Sequence, residues 1–181
     1  MRLFTAIDIS TQIRDRLGAL LERVRPLAKL TWTAPDNLHI TIKFIGEWPA
    51  DRLDQLNRAL AAVPLPGPIE IAVRGWGWFP NDRNPRVFWA GIDAGPELSK
   101  LAHDTAQCLE ALGIVLEDRE FHPHLTLARR RNPVPIDALR KQLAEIGSSD
   151  FGSFHAESFF LYLSKAGKYS KLYEFPLLPT L

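Results

Sequence analysis

The chain has 181 residues, 46% hydrophobic and 24% charged, with a net charge of +1. This length and composition predict one compact soluble domain or two closely packed lobes, and they exclude a disordered or fibrous chain. The near-neutral charge argues against an extended nucleic-acid footprint, and a single cysteine, Cys108, excludes an internal disulfide framework or a cysteine zinc cluster.

In chain order, Leu3 to Asp8 reads as a buried strand. Its early charge, Arg2, is wrong for the apolar core of a signal peptide. Ser10 or Thr11 can cap a helix whose apolar positions Ile13, Leu17, Leu20, Leu21 and Val24 recur at helical spacing. Leu38 to Ile45 reads as a strand and Asp51 to Ala62 as a helix. Ile69 to Val73 reads as a strand leading into Trp76-Gly77-Trp78-Phe79-Pro80. A turn-rich loop, Asn81 to Pro85, precedes a strand from Arg86 to Asp93. Pro96 opens a helix whose stripe runs from Leu98 to Leu112, with Gly113 ending it. Phe121 to Ala128 reads as a strand and Ile136 to Ile146 as a helix. Phe154 to Ser164 and Lys171 to Leu178 read as a hairpin around Lys165-Ala166-Gly167-Lys168. Strands and helices interleave and the tail has successive strands, so the expected fold is α+β with mainly antiparallel sheets. No segment approaches the roughly 18 apolar residues of a membrane-spanning helix.

Two of these strands carry the same motif. His39-Ile40-Thr41-Ile42 and His124-Leu125-Thr126-Leu127 both alternate polar and apolar residues, the period of a half-buried strand. Imidazole and hydroxyl then share one face, and the aliphatic side chains share the other. The copies lie 85 positions apart, and the same offset joins Asp8 to Asp93 and Phe4 to Trp89. One further step brings Asp51-Arg52-Leu53 onto Asp137-Ala138-Leu139, 86 apart. An offset near half the chain length implies a duplicated unit. It predicts two lobes related by a pseudo-two-fold axis, with the two motifs meeting across a central groove and helices outside. Residues 1–181 are expected to form one domain of two interleaved lobes.

Two imidazoles in one groove divide acid–base work: the neutral one accepts a proton from water and the protonated one donates to a leaving oxygen. Threonine hydroxyls beside them donate hydrogen bonds to phosphoryl oxygens. The set needs no metal or cofactor and suits a strained phosphodiester such as a nucleoside 2′,3′-cyclic phosphate.

Both motifs and their flanks, Asn37-Leu38-His39-Ile40-Thr41-Ile42-Lys43-Phe44-Ile45-Gly46-Glu47 and Phe121-His122-Pro123-His124-Leu125-Thr126-Leu127-Ala128-Arg129, resemble the 2H phosphoesterase superfamily. The resemblance is to its bacterial and archaeal RNA 2′,3′-cyclic phosphodiesterases, also called 2′-5′ RNA ligases, and it spans nearly the whole chain. It implies hydrolysis of an RNA or nucleoside 2′,3′-cyclic phosphate to a 2′-phosphomonoester, with His39 as proton donor and His124 as proton acceptor. Thr41 and Thr126 would hold the phosphate oxygens. Arg129 matches the family's phosphate-binding arginine, whereas strict alternation instead puts Arg130 on the face of His124. Trp32, Trp76, Trp78 and Phe79 are candidates for stacking on a base. Asp8 and Asp93 are expected to cap strands. His122 and His124 form a His-x-His pair without further ligands, so no metal site is expected. The expected partners are RNA ends or small cyclic nucleotides. A monomer in the cytoplasm is expected, and reversible 2′-5′ ligation is compatible with the same atoms. The competing expectation is a non-catalytic module that binds RNA ends in the same groove.

Overall fold

The computed structural model describes residues 1–147 and 149–178. Its strands are β1 (Arg2–Asp8), β2 (Thr31–Trp32), β3 (His39–Glu47), β4 (Ile69–Phe79), β5 (Val87–Ala94), β6 (His124–Arg129), β7 (Asp150–Ala156), β8 (Ser158–Lys165) and β9 (Lys168–Pro176). Its α-helices are α1 (Thr11–Val24), α2 (Leu53–Ala61), α3 (Pro96–Glu110) and α4 (Asp137–Ile146). The strands form one curled antiparallel sheet in the order β7-β4-β5-β6-β3-β1-β8-β9, with the two-residue β2 added to β6. The expected α+β architecture is the one observed.

The strand order is symmetric about the seam between β6 and β3. β3 mirrors β6, β1 mirrors β5, and β8 and β9 mirror β4 and β7. These pairings follow the offset of 85 for β1 with β5 and β3 with β6. The helices cross the seam. α1 leaves β1 yet packs against β7 and α4, while α3 leaves β5 yet packs against β3 and α2. Their apolar stripes supply the core behind the sheet: Ile13, Leu17, Leu20, Leu21 and Val24 of α1 are buried, as are Leu98, Leu101, Ala102, Thr105 and Leu109 of α3. Ser10 caps α1, its hydroxyl accepting from the Ile13 N–H at 3.3 Å.

The tail differs from expectation. Phe154 to Ser164 is not one strand, because the chain breaks at Glu157 between β7 and β8. β7 pairs with β4 in one half, and β8 pairs with β1 in the other. Similarity of pattern hid this, since both segments alternate and only the long-range partner differs. The second motif strand also starts late, at His124 rather than Phe121, after Pro123.

Two β-bulges decide which residues face the front of the sheet, away from the helices. In the β1–β3 ladder Thr5 pairs with Lys43 and Ala6 with Thr41, so Ile42 is the extra residue. Ile42 and Lys43 are consequently both turned inward, at 5% and 6% exposure, and Phe44 emerges at 53%. In the β5–β6 ladder Phe88 pairs with Ala128 and Trp89 with Thr126, so Leu127 is the extra residue. Leu127 and Ala128 are both buried and Arg129 emerges. Ile42 and Leu127 are equivalent under the offset of 85, so the bulge is part of the duplicated unit.

Candidate active site

The seam between β3 and β6 is held by one pairing, Ile40 with Leu125. Both are buried on the helix side. Their neighbours on each strand therefore point to the front. Extending the antiparallel register by one residue sets His39 across from Thr126 and Thr41 across from His124. The histidines then occupy a diagonal, whose two residues are typically about 7–8 Å apart. That spacing admits a phosphoryl group between the rings, with a hydroxyl at each remaining corner.

Backbone carbonyls orient both rings. His39 Nδ1 lies 2.6 Å from Asn37 O, and His124 Nδ1 lies 2.8 Å from His122 O. A carbonyl only accepts, so each Nδ1 carries its hydrogen and each Nε2 is the atom free to exchange a proton. His39 Nε2 lies 3.0 Å from the Thr41 hydroxyl oxygen. The sequence identified the histidines and missed the clamps, which repeat at two residues before each one.

The surroundings of the rings differ. Phe4 lies against His39 with centroids 4.8 Å apart, and Tyr169 meets it edge-on at 5.2 Å. Phe79 meets His124 edge-on at 4.9 Å and also packs on Trp89. Burial pushes His39 below the ordinary imidazole range; the Asn37 carbonyl and the Asp8 carboxylate act upward, while His124 and Arg129 act downward. Burial also pushes His124 down, opposed by the His122 carbonyl, with Arg129, His122 and Arg119 adding to the fall. No carboxylate is among the main influences on His124.

Arg129 acts on both histidines, consistent with the bulge at Leu127 that returns it to the front face. Arg130 is engaged elsewhere: its Nε and Nη2 both donate to Val134 O, at 2.9 and 2.6 Å. Trp32 stands over Phe88 and donates from Nε1 to Ala28 O at 3.1 Å. Trp78 is buried against Phe88 in the core and Trp76 packs toward Phe151, so the structure sets neither beside a histidine. Phe79 alone of that segment touches the motif. Gly77 makes this possible, since a Cβ there would overlap the Trp89 indole on which Phe79 rests. His122 is exposed and braces His124 through its carbonyl. Among the described residues no group of three or more His, Cys, Asp or Glu side chains could hold a metal ion, and no helix is long and apolar enough to cross a membrane.

Asp8 departs from the capping role expected of it. It accepts a hydrogen bond from the Tyr162 hydroxyl and lies 2.5 Å from Lys171 Nζ. Asp93 instead pairs with Arg74 at 3.8 Å, well exposed. Tyr162, Tyr169 and Lys171 come from the C-terminal hairpin, and no local signal linked them to a histidine more than 120 residues earlier.

Two imidazoles, two hydroxyls and one guanidinium thus share a single sheet face. Residues 7–89 match the family model described as LigT like phosphoesterase. An RNA 2′,3′-cyclic phosphodiesterase from Archaeoglobus fulgidus is 35% identical over 161 residues, 88% of either chain. This chain belongs to the LigT-like phosphoesterases. An RNA 2′,3′-cyclic phosphodiesterase from Methanocaldococcus jannaschii is 33% identical over 175 residues, covering 96% of this chain and 97% of that one. The LigT-like fold is matched by the crystal structure of a Thermus thermophilus protein, at TM-score 0.78, 33% identity and 98% of each chain. Escherichia coli LigT crystallised with 3′-AMP matches at TM-score 0.77, 26% identity and 98% of each chain.

Proposed function

We propose that this chain hydrolyses RNA or nucleoside 2′,3′-cyclic phosphates to 2′-phosphomonoesters, with the two histidines as acid and base. Neutral His124 Nε2 takes a proton from water as the water oxygen forms its bond to phosphorus. The bond from phosphorus to the 3′-oxygen breaks, and His39 Nε2 delivers its proton to that oxygen. The 2′-ester stays intact, His39 ends neutral and His124 ends protonated, and exchange with solvent resets both. Thr41, Thr126 and Arg129 hold the non-bridging oxygens, whose charge grows in the transition state. Attack by an RNA hydroxyl in place of water would join ends 2′-5′ on the same groups.

The observation that carries this reading is the pair of carbonyl clamps, which occupy each Nδ1 and leave each Nε2 to exchange the proton. The direction, His39 as acid, is supported by the carboxylate beside it and by the cations around His124. The names of the relatives support the substrate class. All the groups come from one chain, which suits a monomer.

The test is turnover of an oligoribonucleotide ending in a 2′,3′-cyclic phosphate, measured in chelator. Wild-type protein should give a 2′-phosphate product. His39→Ala and His124→Ala should each fall by at least about 10²–10⁴, with melting behaviour retained. RNA bound without turnover would replace the enzyme by an end-binding module. Loss of turnover in chelator would add a metal to the reaction.

A further inference from the structure

We propose that Asp8 is a positioning residue that holds the proton on His39, and that a two-residue slip between the duplicated halves withholds the same aid from His124. The inference rests on the acid–base reading above and assigns the device that makes two like histidines unlike.

The slip is visible in the ladders. In the first half Asp8 pairs with His39 and Ala6 with Thr41. Under the offset of 85 the equivalents of Asp8, Ala6 and Phe4 are Asp93, Gly91 and Trp89. In the second half it is Gly91 that pairs with His124, and Trp89 with Thr126. β5 is thus displaced by two residues relative to β1, about 7 Å along the strand. Asp93 passes beyond His124 and reaches Arg74 instead. The same displacement leaves a glycine opposite His124, whose absent Cβ makes room for the Arg74 carbonyl.

The carboxylate beside His39 is a built feature. Tyr162 donates to one Asp8 oxygen and Lys171 meets the other. A further bulge, between Leu161 and Tyr162 in the β8–β9 ladder, brings Lys171 opposite Tyr162. Phe160 lies under the Lys171 ammonium at 4.0 Å. Burial and the hydrogen bond to Asp8 push the Tyr162 hydroxyl far above its ordinary value, so it stays a donor. Among the described residues, the charged and titratable groups facing His39 are Asp8 from β1, Tyr162 from β8, Tyr169 from β9, and His124 and Arg129 from β6, with Lys171 of β9 reaching this set through Asp8. Asp8 is the only anion in this set. Lys171 meters it, because an ammonium on the carboxylate weakens its pull on the imidazolium.

This arrangement predicts opposite effects from two neighbouring substitutions. The experiment is a pH titration of ¹³C-labelled histidines by NMR in the free enzyme, with kcat/KM profiles recorded on the same proteins. Asp8→Asn should lower the His39 midpoint by about half a unit or more, roughly threefold in the protonation constant. Lys171→Met should raise it. Asp8→Glu should restore most of the wild-type value, and His124 should move less than His39 throughout. An unmoved His39 in Asp8→Asn, or equal movement of both histidines, would overturn the proposal. If Asp8→Asn fails to fold, the upward shift in Lys171→Met decides. A moved His39 midpoint with an unmoved alkaline limb of kcat/KM would support Asp8's role and overturn His39 as the acid, which separates the two failures.

Discussion

At the scale of residues, the rings are set by what surrounds them more than by their identity. Burial lowers both histidines from the ordinary 6.5. A profile of kcat/KM reports the free enzyme, so both limbs of its bell should fall on the acid side of that value. Bound substrate changes the balance. A cyclic phosphate is an anion, and an anion between the rings favours the imidazolium form of each. The profile of kcat, which reports the complex, should therefore sit at higher pH than that of kcat/KM. Coincident profiles, or a kcat profile displaced toward acid, would show that the phosphate does not bind between the histidines. The motif residues were legible in the sequence because period-two alternation isolates them. Asn37, Asp8 and the Tyr162 hydroxyl were not. Asn37 acts through its backbone carbonyl, which every residue type offers, and the other two depend on a ladder between distant strands.

Elements explain why alternation failed where it did. Strict period two would set Arg130 beside His124, yet the extra residue at Leu127 reverses the phase and turns Arg129 forward. The equivalent bulge at Ile42 buries Lys43, whose Nζ donates to Val115 O at 3.0 Å. Neither bulge carries a glycine or other local mark, so neither could be read before the ladders were seen. β4 shows the reverse case, where a sequence mark was visible but its purpose was not. Gly77 lets the Trp89 ring lie across the strand, and Phe79 packs between that ring and His124. Gly77→Val should force the indole away and cost about 1–3 kcal/mol in stability, as overpacking does. It should also lower kcat/KM, because the Phe79 contact with His124 is displaced. Denaturant melts and turnover on the same protein check this. Unchanged stability would mean that Trp89 has room to move.

For the whole molecule, the duplication was legible because both halves kept the same residues at one offset. What it became in space was less so. Two halves could have stood side by side, whereas α1 and α3 each cross the seam and pack behind the opposite half. β7 and β8, one continuous pattern in the sequence, are divided between the two ends of the sheet. Crossing elements tie the seam from behind, so the front can present the two His-x-Thr pairs on a sheet joined there by a single pairing, Ile40 with Leu125. The electrostatics follow the same economy. With a net charge of +1 and Arg129 as the cation acting on both histidines, the proposed reaction calls for contact with one phosphate and not with a long strand. Each phosphate neutralised on single-stranded RNA contributes about −0.7 to the slope of log affinity against log salt. Binding of an oligoribonucleotide with a cyclic end to a His124→Ala protein should therefore show a slope between about −0.7 and −1.4, independent of RNA length. A steeper slope that grows with length would reveal a track beyond the histidines. The exposed Lys165 and Lys168 at the β8–β9 turn would be the first cations to replace, because Asn37 Nδ2 ties that turn to the His39 strand through Gly167 O at 3.0 Å.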